Sequence, residues 1–136
     1  MKLVSMLLML LVGAQAFAAA PVNPNIKPNQ PLPTTVLTCG GAIITQITNR
    51  LQDQNGTPDP DSGSAVVFNN GGYNVSYDTI PAIQKSKVGQ HVMICLVYVP
   101  EGCPPGDDRS RVYTVTNLTT LESWTLPDAE HMCGGA

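Results

Sequence analysis

The stretch SAVVFNNGGYNVSYD, Ser64 to Asp78, carries the clearest structural signal in the chain. Its Asn-Gly pair supplies the positive φ angles that a type I′ hairpin turn requires. With Asn70 and Gly71 as the two turn residues, Phe68 faces Tyr73, Val66 faces Val75 and Ser64 faces Tyr77. The large apolar side chains then share one face, and Asn74 and Ser76 take the other. Turn chemistry and period-two alternation agree, which predicts a half-buried antiparallel hairpin.

Downstream, Arg111 to Leu126 gives a second hairpin. Pairing Asn117 with Glu122 across a four-residue loop sets Val115 opposite Trp124 and Tyr113 opposite Leu126, again with one apolar face. Between the hairpins, HVMICLVYVP, His91 to Pro100, is a nearly unbroken apolar run and reads as a strand covered on both faces. Upstream, Ala42 to Leu51 fits a helical stripe through Ile43, Ile44, Ile47 and Leu51, and also an alternation through Ile43, Thr45 and Ile47. Its Ile and Thr content favours a strand. QDQNGTPDPDS, Gln52 to Ser62, consists of turn formers and is read as an exposed loop. Phe68, Tyr73, Tyr77, Tyr113 and Trp124 fall on the apolar faces and are expected in the core. The fold class expected is all-β, a small antiparallel sandwich or barrel of five to six strands with two disulfides.

The N-terminus bears on the compartment. Lys2, the apolar run Leu3 to Val12 and the small residues Gly13 to Ala20 have the layout of a secretory signal peptide, with cleavage expected after Ala16 or Ala18. The apolar run is about half the length of a membrane span, which favours cleavage over anchoring. PVNPNIKPNQPLP, Pro21 to Pro33, reads as an extended solvated spacer, because proline fixes φ and donates no hydrogen bond. The expected division is a signal peptide over 1–18, a Pro-rich spacer over 19–35 and one disulfide-stabilised β domain over 36–136. The expected address is periplasmic or secreted, with no membrane insertion once the leader is removed.

The four cysteines form an even set and read as two structural disulfides. Three pairings exist. The preferred one joins Cys95 to Cys103, pinning a short loop, and Cys39 to Cys133, tying the ends of the domain together.

Loss of the leader removes Lys2 and leaves six cations against ten carboxylates, a net charge of −4. Such a chain has no electrostatic footprint for nucleic acid. Lys85 and Lys87 read as a solvated loop. Pairing of all four cysteines leaves no thiol nucleophile, and His91 and His131 lack any accompanying nucleophile motif. An enzyme would need the two histidines to converge with a carboxylate such as Asp128 or Glu130. A zinc site on His131 and Cys133 would require thiolates that the compartment oxidises. Asp53, Asn55, Asp59 and Asp61 crowd one loop and could attract calcium, but their spacing is not that of an EF-hand. No cofactor is expected. Asn55, Asn74 and Asn117 open sequences of the N-glycosylation acceptor pattern. Glu101, Asp107, Asp108 and Arg109, in the turn-rich segment around Cys103, form a polar rim where a protein of the cell envelope could dock.

CPPGDDRSRVYTVTNLTTLESWTLPDAEHMCGGA, Cys103 to Ala136, together with Ser62 to Asp78, resembles a group of small exported bacterial proteins whose function is not characterised. Their pattern has glycine where this chain has Ser110 and Leu121, and leucine at 121 is expected to loosen the second hairpin's turn. The resemblance implies a bacterial host and unmodified acceptor asparagines, and it assigns no active-site residue. The function expected is a non-enzymatic exported β domain with a binding or envelope-maintenance role, its recognition surfaces on the loops Gln52–Ser62 and Glu101–Asp108. The alternative is an inhibitor of an extracytoplasmic hydrolase, such as a lysozyme or a protease.

Overall fold

The computed structural model describes residues 27–135; the expected leader and residues 19–26 of the expected spacer lie outside them. Six strands form one antiparallel sheet: β1 (Cys39–Thr48), β2 (Ser64–Phe68), β3 (Tyr73–Ser76), β4 (His91–Tyr98), β5 (Val112–Asn117) and β6 (Ser123–Pro127). A single short helix, α1 (Pro81–Lys85), lies between β3 and β4. The strand order is β3-β2-β1-β4-β5-β6, and the sheet curls into a half-barrel whose edge strands β3 and β6 meet. The β1 segment is a strand, as its Ile and Thr content favours. Residues 39–43 of β1 pair with β4 and residues 44–48 with β2, with a register shift between Ile44 and Gln46. A bulge of this kind bends the strand and increases its twist, which lets one strand serve both halves of the curl.

Ala42, Ile44, Val66, Phe68, Val92, Ile94, Leu96, Tyr113, Val115 and Trp124 fill the concave side. The expectation that β4 is covered on both faces is corrected. Val92, Ile94 and Leu96 are buried, whereas Met93, Cys95 and Val97 are only half-buried, because among the described residues no second layer lies outside the sheet. Helix α1 packs on β2 and β6. Pro81 suits its first turn, where no N–H is needed, the Ile80 N–H donates to Ser64 Oγ at 2.9 Å, and Ile83 is fully buried.

The spacer reading fails for residues 28–33. Leu32 packs against the core, Pro33 is buried, and its carbonyl accepts the Tyr113 hydroxyl at 3.3 Å. The Gln30 N–H donates to the Gly41 carbonyl at 3.0 Å, and the Gly41 N–H donates back to Gln30 Oε1 at 2.8 Å. Gly40 makes the crossing possible, since a β-carbon there would lie 3.1 Å from the Pro31 carbonyl oxygen and 3.3 Å from Gln30 Cβ. The folded domain therefore begins before residue 36.

The β5–β6 hairpin has the expected register, with Val115 opposite Trp124 and Tyr113 opposite Leu126. The β2–β3 hairpin is shifted by one residue. Val67 pairs with Tyr73, Val66 with Asn74 and Ser64 with Ser76. The connection is a three-residue turn, Asn69 to Gly71, closed by the Phe68 N–H on the Gly72 carbonyl at 2.9 Å, with Gly71 at φ 82°. A slip of one residue exchanges the faces of a strand. Asn74 consequently points inward and is 1 % exposed, while Tyr77, expected in the core, is 57 % exposed.

Asn74 occupies the seam where β3 and β6 meet. Its Nδ2 donates to the carbonyls of Leu126 and Pro127 at 3.1 and 3.4 Å, and its Oδ1 accepts the Trp124 indole N–H at 3.1 Å. One amide side chain thus takes the place of a backbone ladder.

The disulfides are Cys39–Cys95 and Cys103–Cys133, which corrects both expected pairs. Cys39 and Cys95 are directly opposed on neighbouring strands, so the sheet itself selects that bridge. Cys103 is left to meet the tail. The bridges span sequence separations of 56 and 30 residues, and each contributes on the order of 4 kcal/mol in the chain-entropy model. Two disulfides point to an oxidising, extracytoplasmic compartment. Among the described residues, no helix is long and apolar enough to cross a membrane.

Leu37, Ser110 and Leu121 hold positive φ, at 65°, 71° and 59°. The turn at Leu121 nevertheless closes, with its N–H on the Asn117 carbonyl at 2.8 Å. Leu121 is 74 % exposed, so removing its side chain forfeits little burial. Leu121→Gly is expected to stabilise the domain by about 1 kcal/mol through relief of the left-handed conformation, measured as a higher urea midpoint at unchanged slope.

Candidate binding site

The residues singled out for docking lie on the connection from β4 to β5. The Cys103–Cys133 bridge and Asp107 tie this loop to the C-terminal tail. Asp107 Oδ1 accepts Arg109 Nε at 2.9 Å, and Oδ2 accepts Arg109 Nη2 at 2.8 Å and the Gly134 N–H at 2.9 Å. The paired Arg109 guanidinium, and after it the Gly134 N–H, holds this carboxyl well below the usual carboxylate range. Arg109 Nη2 also reaches the Gly135 carbonyl at 3.2 Å, and Ser110 Oγ donates to the His131 carbonyl at 2.6 Å. Asp107 is therefore turned toward the tail, while Glu101, Asp108 and Arg109 are exposed, Arg109 with its guanidinium bound to Asp107 and the Gly135 carbonyl.

The same loop walls a groove of about 280 Å³, lined by Val99, Pro100, Cys103, Pro104, Asp107, Asp108 and Arg111. Arg111 Nη1 pairs with Asp108 at 3.0 Å. Asp128, half-buried beside Arg111, has its carboxyl pushed up by burial, opposed by backbone N–H groups of Ser110 and Arg111. Burial, then the Asp128 charge, pushes up the Tyr113 hydroxyl. The turn carrying Leu37 is fixed alongside by the Leu37 N–H on the Leu96 carbonyl at 2.8 Å. Leu37, Tyr98 and Val99 are 83, 47 and 38 % exposed, an apolar margin next to the polar rim.

The other sequence candidates do not assemble into sites. Asp53 Oδ1 accepts the N–H groups of Asn55 and Thr57, each at 2.8 Å, and these bonds hold its carboxyl below the usual range. Asp59 Oδ1 accepts the Asp61 N–H at 3.1 Å. Asp53 and Asp59 thus spend their carboxylates on the loop's own backbone, and among the described residues no group of three His, Cys, Asp or Glu could hold a metal ion. His91 lies by Leu118 and His131 by Ser110, at opposite ends of β5. Of the acceptor asparagines, Asn55 is exposed while Asn74 and Asn117 are buried. Asn117 Nδ2 donates to Ser86 Oγ at 2.8 Å and Gln90 Oε1 at 2.7 Å.

Sequence reasoning missed a second groove, of about 220 Å³, where Val75 to Asp78 face Leu126, Pro127, Ala129 and Glu130. Arg50 stacks 4.1 Å from the Tyr77 ring centroid and pairs with Glu130 at 3.2 Å. Its Nε donates to the Ser62 carbonyl at 2.8 Å, so the guanidinium braces three segments that only the fold brings together.

Comparison with known proteins finds no family model, no curated protein and no solved structure that matches the chain.

The Asp107 clasp makes a prediction. A carboxyl with a lowered folded pKa contributes stability above its unfolded pKa near 3.8 and loses that contribution as pH falls. Asp107→Asn removes the charge at any pH, and hydrogen exchange at neutral pH is expected to quicken several-fold at Gly134 while the β4–β5 amides stay protected.

Proposed function

We propose that this protein is an exported, non-enzymatic binding domain whose partner surface is the stapled end of the half-barrel, formed by the loop after β4 and the turn at Leu37. The observation that carries this reading is an apolar margin beside a groove on a segment already fixed by a disulfide and an ion pair. A preordered loop has little left to lose on binding, and rigid scaffolds generally carry recognition on such loops. Leu37 adds to it. Its side chain, 83 % exposed, extends the apolar margin beside Tyr98 and Val99. The partner is a protein of the cell envelope, met in the periplasm or outside the cell.

In-cell crosslinking of the tagged protein, followed by mass spectrometry, tests the reading. Capture of one dominant envelope protein, lost in a Leu37→Gly/Tyr98→Ser variant of normal stability, is the expected result. Background capture alone, or capture indifferent to the substitutions, overturns it. The preordering equally favours an inhibitor of an extracytoplasmic hydrolase. Titration against lysozymes and proteases separates the two, since an inhibitor suppresses turnover at micromolar concentration and a general binding domain does not.

A further inference from the structure

Cys39 and Cys95 face each other across β1 and β4 with Cα atoms 4.0 Å apart. Their neighbours Gly40, Ala42, Ile94 and Leu96 point into the core, so alternation places the bridge on the convex outer face of the sheet. Among the described residues no element covers that face, and Cys39 is exposed while Cys95 is half-buried.

Two features set this bridge apart. The first is that the backbone holds the two cysteines in place from both sides. Gly40 pairs with Ile94 and Gly41 with Met93 on one side. On the other, the Leu96 N–H donates to the Thr38 carbonyl at 3.1 Å and the Leu37 N–H to the Leu96 carbonyl at 2.8 Å. That backbone pairing does not run through the sulfurs, so the register is expected to persist when the bond is open. Cys103–Cys133 differs, since it joins two turn-rich segments with no ladder between them.

The second feature is the face around the bridge. None of the six strands contains Asp, Glu, Lys or Arg. Antiparallel sheets with one solvated face normally place charge there, partly to discourage other chains from approaching. Here the rows beside the disulfide hold Gly41, Met93, Thr114, Thr116, Ser123 and Thr125. Thr114 bonds Thr125, and Thr116 bonds Ser123, each at 2.8 Å. A polypeptide approaching the sulfurs has no charge to desolvate.

We propose that Cys39–Cys95 is a thiol–disulfide exchange site whose co-reactant is an extracytoplasmic dithiol. One thiolate of the dithiol attacks Sγ of Cys39, the more exposed cysteine of the pair. The S–S bond breaks, and Cys95 leaves as a thiolate and takes up a proton. The second thiolate of the dithiol then attacks the mixed disulfide at its own sulfur, so that Cys39 departs and is protonated in turn. Two electrons and two protons pass from the dithiol, which becomes a disulfide, to the cysteine pair; the reverse sequence oxidises the pair. The bridge lies two residues from Leu37 of the turn assigned to partner binding, but the exchange chemistry does not rest on that reading and is tested without the partner.

Titration of the full mature protein with dithiothreitol, followed by alkylation and peptide mapping, tests the proposal, with Trp124 fluorescence reporting the fold. At one dithiothreitol concentration Cys39–Cys95 is expected to open about tenfold faster than Cys103–Cys133, because Cys39 is exposed whereas Cys103 and Cys133 are half-buried. The fluorescence should stay unchanged, and the bond should re-form on transfer to oxidised dithiothreitol. Opening of Cys103–Cys133 first or in parallel overturns the assignment. So does a fluorescence change accompanying the opening of Cys39–Cys95. A Cys39→Ser/Cys95→Ser variant supplies the independent check: native fluorescence and a cooperative unfolding transition are expected, and failure to fold overturns the proposal.

Discussion

Replacement of Gly63 by alanine is expected to destabilise the domain by about 3–4 kcal/mol, the sum of a left-handed backbone penalty and a backbone clash. Gly63 has φ 106°, and a β-carbon there would lie 2.1 Å from the Ser76 carbonyl oxygen and 2.6 Å from the Tyr77 carbonyl carbon. These are main-chain atoms of β3's end, paired through Ser64 and Ser76 to β2, so they cannot rotate aside as a side chain would. The Gly63 carbonyl also accepts Asn49 Nδ2 at 3.1 Å, and the adjoining Ser62 Oγ accepts the Leu51 N–H at 2.9 Å. Relief of the clash would require the long loop before β2 to be re-laid. Gly71→Ala is the internal control. Gly71 has φ 82° and nothing within 4 Å of a built β-carbon, so that substitution carries the conformational penalty alone, about 1 kcal/mol. Urea unfolding of both variants separates clash from conformation, and equal losses would show that the contact at Gly63 relaxes freely.

The position of Gly63 illustrates which parts of the fold were legible in sequence. Local pairing was readable wherever turn chemistry and alternation were sufficient. The β5–β6 register follows from Asn117, Glu122 and the alternation around them, and no distant contact alters it. Asn69-Asn70-Gly71-Gly72, in contrast, is compatible with a two-residue and a three-residue turn. Tertiary contacts decide between them: Asn69 Oδ1 accepts the Ile43 N–H at 2.8 Å and Asn70 Nδ2 donates to the Gln30 carbonyl at 3.1 Å. A β-carbon at Gly72 would come within 3.0 Å of Leu32 Cδ1, so the N-terminal segment and this turn fit only together. Proline content alone gave no sign of that packing, because prolines suit a solvated chain and a barrel plug equally well.

The disulfides failed for a related reason. Cys95 and Cys103 are close in sequence, but extension through Tyr98 carries the chain away from Cys95, whose side chain is directed to the outer face opposite Cys39. Only the pairing of β1 with β4, 56 residues apart at the cysteines, selects that partner. The candidate site was half legible. The turn-rich composition around Cys103 marked the loop, but Leu37 and the tail that complete its surroundings come from distant parts of the chain. Sequence also gave no reason to expect Asp107 to be occupied by Gly134.

Asn74 provides the sharpest test of the seam. Asn74→Leu keeps the approximate volume and removes all three hydrogen bonds, leaving the Trp124 indole N–H and the Leu126 carbonyl buried without the partner they now have. The expected loss is about 3 kcal/mol, the desolvation penalty of two unsatisfied groups. Asn74→Asp separates donor from acceptor. One carboxylate oxygen can still accept from Trp124, while the other replaces the amide donor and meets the carbonyls of Leu126 and Pro127 at 1 % exposure. Burial and those carbonyls raise the introduced group's folded pKa above its unfolded value near 3.9. Over the interval between the two values the native state holds more protons than the unfolded state, so stability falls as pH rises. The variant should therefore approach wild-type stability below pH 4, where the protonated acid donates in place of the amide. It should lose about 3 kcal/mol or more by pH 7. Urea unfolding at both pH values measures the difference. Little loss in Asn74→Leu would mean that Asn74 acts by filling space, and the two edge strands would then be held together by Trp124 packing and the Arg50–Glu130 pair rather than by this amide.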